Sequence, residues 1–193
     1  DASVKGIKQD YENLGVCFDL WQGEADAHDE IEPMVEKLQD QHLVDESEGA
    51  RVIHVEREDD QKDIPPLILY KSDGAVMYGT TDLATIAQRV RDHNPDRILY
   101  IVDQRQQLHF TQVFRAAYRA DIAPGSCELT HVGHGTINGT DGKPFKTRSG
   151  GVMRIADLMT MAHERASERL HEASLAQDMS AEERDDIAHK VGI

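Results

Sequence analysis

Arg97-Ile-Leu-Tyr-Ile-Val-Asp103 decides the fold of this chain. An unbroken apolar run between two charged ends suits a strand buried in a parallel sheet. Immediately upstream, Thr81 to His93 carries helical periodicity and stops at Asn94-Pro95, since the residue before a proline avoids helical geometry. Downstream, a second helix is predicted over Leu108 to Ala120, followed by another strand from Cys127 to Val132. A short apolar strand, Leu67 to Tyr70, precedes the first helix. Strand, helix, strand, helix, strand at these lengths predicts an α/β doubly wound sheet, whose ligands gather at the carboxyl ends of its strands.

Further from that centre the pattern becomes helical. Ile31, Met34, Val35 and Leu38 follow helical spacing from Asp29 to Gln41. Glu46 to Gly49 is expected as a turn, Ala50 to Val55 as a strand, and the charged run Glu56 to Asp63 as a loop closed by Pro65-Pro66. Beyond Gly150-Gly151, Ile155 to Leu175 predicts a long amphipathic helix, and another begins at Ala181 and runs to Val191. No internal repeat or low-complexity segment is present.

Composition narrows the class. The 193 residues are 39% hydrophobic, enough for a core, and no run approaches a membrane span. No basic-then-apolar leader opens the chain, and Cys17 and Cys127 lack CxxC spacing. Two reduced, buried thiols and a cytoplasmic location are therefore expected. A net charge of −15, from 36 acidic and 21 basic residues, argues against a general nucleic-acid binder, because phosphate backbones demand Lys and Arg.

Candidate chemistry falls at the strand ends. Tyr78 and Asp82 stand four residues apart at the head of the first helix, so both project from one face. A carboxylate can take a guanidinium fork and a phenol ring can pack on its plane; an ordinary first helical turn accounts for the same spacing. Asp103-Gln-Arg-Gln-Gln-Leu-His-Phe110 follows one strand and His131-Val-Gly-His-Gly135 the next. A glycine-rich loop, 138–151, carries Lys143, Lys146 and Arg148, which suits closure over a polyphosphate. His131 and His134 have metal-ligand spacing but no accompanying third ligand, so no metal site is expected. His109 is expected as a cap or surface residue, and Phe18, Trp21 and Phe145 as core or interface residues.

Four motifs in order carry a resemblance: Lys71-Ser-Asp-Gly-x3-Tyr78-x3-Asp82-Leu-Ala, Gln106-x-Leu-His-Phe-x-Gln-Val-Phe114, His131-Val-Gly-x-Gly135 and Gly142-Lys-Pro-Phe-Lys-Thr-Arg-x-Gly-Gly151. Together, from about Leu14 onward, they resemble the arginyl-tRNA synthetases, class I aminoacyl-tRNA synthetases. The resemblance implies that Tyr78 and Asp82 hold the substrate guanidinium, that Gln106 orients the bound arginine, and that His131, Gly133, Gly135 and Phe145 border ATP. It further implies that Lys143, Lys146 and Arg148 form the mobile catalytic loop, with Thr147 where a second lysine is usual. His131-Val-Gly-His134 looks like the other class I signature, but the turn-forming Gly-Thr-Ile-Asn-Gly that follows marks His134 as a substitution where the family usually has an aromatic residue.

On this reading the chain is the second half of a doubly wound Rossmann-like nucleotide-binding sheet with a helical carboxy-terminal extension. Residues 1–66 would be a connective insertion and lead-in, 67–151 the half fold with its signature loop, and 152–193 a helical stem. The first half is expected to precede Asp1 and an all-helical anticodon-binding domain to follow Ile193, leaving the piece inactive alone. Arginine, ATP with Mg2+ and tRNA are the implied ligands, the tRNA mainly through absent domains, in a monomeric parent. The competing reading is a non-catalytic arginine- or nucleotide-binding module.

Overall fold

The computed structural model of the chain describes residues 2–136, 138, 142 and 154–193. Residues Trp21–Thr136 pack as one unit and the remaining described residues as another.

In the first unit, the predicted spacing yields α2 (His28–Asp40), which follows α1 (Ala2–Asn13) in the chain and buries Ile31, Met34, Val35 and Leu38. A hairpin comes next: β1 (Asp45–Ser47) pairs with β2 (Ala50–Ile53) across Glu48 and Gly49, both at positive φ. Two left-handed residues are what a two-residue hairpin with right-handed strand twist requires. The sequence concealed β1, because its three exposed polar residues show no alternation.

Strand β3 (Leu67–Tyr70) departs from expectation. It pairs antiparallel with β2, Ile53 opposite Leu67, and belongs to a three-stranded sheet of order β1-β2-β3. Leu67 and Leu69 point inward while Ile68 is 40% exposed, the half-solvated pattern of an antiparallel sheet. The parallel pair is separate: β4 (Arg97–Asp103) and β5 (Glu128–His134), with Tyr100 opposite His131 and Asp103 opposite His134.

Helix α3 (Tyr78–His93) connects the two sheets, and α4 (Gln107–Arg119) follows β4. Asn94, in left-handed geometry, closes α3 and donates its N–H to the Val90 carbonyl, as the Asn94-Pro95 signal predicted. Helix α4 crosses between β4 and β5, completing a β-α-β unit. One core runs through both sheets, with Leu38, Ile53, Leu69, Leu83, Ile86 and Val113 fully enclosed. Among the described residues β4 is covered on one face only: Ile98 and Tyr100 are buried, whereas Leu99 and Ile101 are 49% and 66% exposed.

The second unit contains α1, α5 (Ile155–Glu172) and α6 (Ala181–Gly192). Ser180 and Glu183 form a capping box that starts α6, each side chain satisfying the other's backbone N–H. Gly192 seats α6 on α5, since an added Cβ would fall 2.9 Å from the Ala162 backbone. Among the described residues no helix is long and apolar enough to cross a membrane.

Three side-chain expectations are corrected or narrowed. Cys17 is exposed and lies outside any strand; Cys127 alone is buried, and burial pushes its thiol pKa up. Phe18 and Trp21 are 51% and 42% exposed, which removes the core alternative of the core-or-interface expectation and leaves the interface one. Large apolar side chains outside periodic segments carry no signal of which way they face.

Candidate functional site

Construction begins at the seat of α3. Gly79 lies against Leu67, where a Cβ would come within 2.6 Å of the leucine Cδ1, so a larger residue would require the Leu67 side chain to shift. The next residue, Thr80, is fully buried, and its hydroxyl donates to the Leu69 carbonyl at 2.6 Å. These contacts anchor the first turn of α3, which carries Tyr78, to β3, and Asp82 opens the next turn. Tyr78 is 72% exposed beside a shallow pocket lined by Glu24, His28, Ile31 and Thr81.

Asp82 meets a residue the sequence reading had set aside. His109 is neither a cap nor a free surface residue: its Nε2 lies 2.6 Å from Asp82 Oδ2. The two side chains are 29% and 26% exposed respectively. Gln106 occupies the N-cap position of α4, three residues before His109, without a side-chain cap bond. Tyr78, Asp82 and Gln106 therefore come to one end of the α3–α4 pair, with His109 as the link. The contact joins positions 27 residues apart, and the only sequence signal for it was the Leu-His-Phe motif itself.

Strand ends supply the rest. Asp103 turns the chain after β4: its carboxylate accepts from the Arg105 backbone N–H at 2.8 Å and from Arg105 Nε and Nη2 at 2.9 and 2.6 Å. The Arg105 hydrogen bonds hold the Asp103 carboxyl down at about 2. Gly133 makes room for that turn, since its Cβ would lie 3.0 Å from Gln104 Cα. A Cβ on Gly135 would meet nothing within 4 Å among the described residues.

Beneath the strand ends sits an aromatic cluster. Phe110 stacks on His131 with centroids 5.4 Å apart and contacts Tyr100 at 4.7 Å. The Tyr100 hydroxyl and His131 Nε2 are both buried without a well-formed hydrogen bond among the described residues. The Tyr100 hydroxyl is pushed up to about 12, chiefly by burial, with Asp82 adding to the rise and Arg89, whose guanidinium stands 5.3 Å over the ring, opposing it. A neutral phenol and a buried imidazole nitrogen offer hydrogen bonds to a polar ligand or water.

His131 and His134 point to opposite faces of β5 by strand alternation, so their spacing does not converge on a metal. Lys143, Phe145, Lys146 and Arg148 lie outside the described residues.

Comparison with known proteins bears on family and fold. A family model described as "tRNA synthetases class I (R), catalytic domain" matches residues 1–193. The chain is 49% identical to the arginine–tRNA ligase of Hyphomonas neptunium over 195 residues and 51% identical to that of Maricaulis maris over 193. Each alignment covers the whole chain but 33% of the relative, so the chain spans about a third of the length of the curated relatives it matches.

Among solved structures, the Plasmodium falciparum arginyl-tRNA synthetase superposes with a TM-score of 0.77 at 20% identity, covering 99% of this chain and 30% of that one. The Thermus thermophilus arginyl-tRNA synthetase gives 0.62 at 16% identity, covering 96% and 36%. At those identities the structures establish a shared α/β fold. Because the family model spans the chain from end to end, the chain belongs to the class I (R) tRNA synthetase catalytic domains.

Proposed function

We propose that this chain is the arginine-selecting half of the catalytic domain of an arginine–tRNA ligase. The Asp82 carboxylate carries the reading: it is held at the head of α3, a quarter exposed, with an exposed phenol four residues away. A guanidinium fork donating to Asp82 with its plane against Tyr78 satisfies both groups, and Gln106 supplies an amide to orient the substrate. On this reading ATP lies across the ends of β4 and β5 near His131, Gly133 and Gly135. Phe145 borders it, and Lys143, Lys146 and Arg148 offset charge on its phosphates.

The finer architecture is the second half of a doubly wound Rossmann-like sheet. Exposed Leu99, Ile101 and Val132 on one face of the β4–β5 pair support this, because buried parallel strands need cover on both faces. The division into residues 1–66, 67–151 and 152–193 follows role, since the core itself runs through α2, β2, α3 and α4. The whole protein would act as a cytoplasmic monomer, with tRNA held mainly by segments beyond this chain.

In the proposed reaction an arginine carboxylate oxygen attacks the α-phosphorus of ATP and pyrophosphate departs. A ribose hydroxyl of tRNA then attacks the acyl carbon and AMP leaves. The residues' part is orientation and charge compensation. Magnesium would accompany the triphosphate: Asp103 is paired with Arg105, and the free oxygens of Asp82 are assigned to the guanidinium, so neither is read as its ligand and no step is assigned to the metal.

The test is arginine- and tRNA-dependent exchange of pyrophosphate into ATP by the full-length gene product that includes this chain. Asp82→Ala should raise the arginine KM about tenfold to a hundredfold, the worth of a hydrogen bond to a charged group. The 193-residue chain alone should be silent. Exchange that ignores the Asp82 substitution would refute the assignment.

A further inference from the structure

We propose that His109 is a positioning residue that fixes the plane of the Asp82 carboxylate and so sets arginine affinity; this rests on the reading of Asp82 as the guanidinium receptor. An ionised carboxylate can only accept, so His109 Nε2 carries the proton and donates to Oδ2 across 2.6 Å. That bond occupies one lone pair on Oδ2 and leaves Oδ1 and the facing pair on Oδ2 for a fork.

Carboxylate rotation about its terminal bond is otherwise broad, because sp³–sp² torsions lack sharp wells. Left to itself, Asp82 would present its oxygens over a wide arc and lose entropy on binding. His109 removes that freedom beforehand, which is preorganisation in the ordinary sense.

The imidazole is itself held. Its ring stands edge-on to Phe110 at 5.1 Å and 80°. Phe110 is 3% exposed and wedged between His131 and Tyr100. A rigid aromatic stack from the strand ends therefore terminates on the carboxylate.

The alternative role, a tie between α3 and α4, is already filled. Leu83, Ile86, Val113 and Ala117 enclose that interface within the core. Both members of the pair instead sit at its rim, a quarter exposed, where a ligand can reach them. A purely structural ion pair has no need of that opening.

The experiment is a double-mutant cycle in the full-length gene product, read as arginine kcat/KM below saturation. Thermal unfolding and the ATP KM are measured in parallel. His109→Ala should raise the arginine KM about tenfold, with kcat and the ATP KM unchanged. His109→Gln, whose amide can donate to the same oxygen, should recover most of the loss. In an Asp82→Ala background, His109→Ala should have no further effect.

Equal losses in both backgrounds, or parallel falls in unfolding temperature and in affinity for both substrates, overturn the proposal. So does an unchanged arginine KM in His109→Ala when Asp82→Ala raises it; the site assignment then survives. If Asp82→Ala itself changes nothing, the underlying reading fails and takes the proposal with it.

Discussion

Replacing Gly133 with alanine tests whether this glycine is a packing device. An ideal Cβ there lies 2.9 Å from Gln104 Cβ, 3.0 Å from Gln104 Cα and 3.2 Å from His131 Cε1. Carbon atoms rest at about 3.5–4.0 Å, so strand or turn must yield by about half an ångström to one. Gln104 is a poor candidate to yield, because the Asp103 carboxylate pins the turn through Arg105. Overpacking of this kind costs about 1–3 kcal/mol. Alanine recovers about 0.5–1 kcal/mol of the backbone entropy that glycine loses in a strand. The expected net loss is about 0–2.5 kcal/mol, or about 1–3 kcal/mol relative to an unhindered Gly→Ala change that recovers the same entropy. Gly135, two residues on, has nothing within 4 Å of its Cβ position among the described residues and serves as the control. Gly135→Ala should stay within about 0.5 kcal/mol of the parent. Urea unfolding of the purified chain, followed by far-ultraviolet circular dichroism, reads both differences as midpoint shifts at constant slope. A Gly133→Ala protein as stable as Gly135→Ala would refute the packing argument.

Other perturbations follow from single contacts. The Asp60 carboxyl is held down at about 2, chiefly by hydrogen bonds from Arg115. Its contribution to stability is therefore present above the unfolded value near pH ~4 and disappears as pH falls through about 2. Arg115→Met should flatten acid unfolding in that window, and a titration as steep as the parent's would count against the pairing. The Tyr118 hydroxyl donates to the Cys127 carbonyl at 2.8 Å and accepts the Leu129 N–H at 2.9 Å. Tyr118→Phe should cost about 1–3 kcal/mol in denaturant unfolding, because it strands a donor and an acceptor at the entry to β5. Gly192→Ala should separate α6 from α5, lowering the unfolding temperature and increasing amide exchange in α6 while β4 and β5 stay protected.

Much of this molecule is written in short-range pattern. The spacing of Ile31, Met34, Val35 and Leu38 specifies α2 and its buried face, because helical period and burial are the same information. Asn94-Pro95 ends α3 through local backbone sterics, and the β4, α4, β5 succession follows from run lengths and periodicity. The family motifs likewise located Tyr78, Asp82 and Gln106 at one end of two helices.

Which strand edge β3 would choose, however, depends on chain distant in sequence, and an isolated four-residue apolar run holds no preference between β2 and β4. The exposure of Cys17, Phe18 and Trp21 was equally hidden, because aperiodic segments encode no face. Sequence alone determined most of the elements, the family and the place of the Asp82 carboxylate near the head of α3. Only the tertiary structure decided that His109 reaches across from α4 to hold that charge, since a contact between residues 27 apart exists only after α3 and α4 have packed.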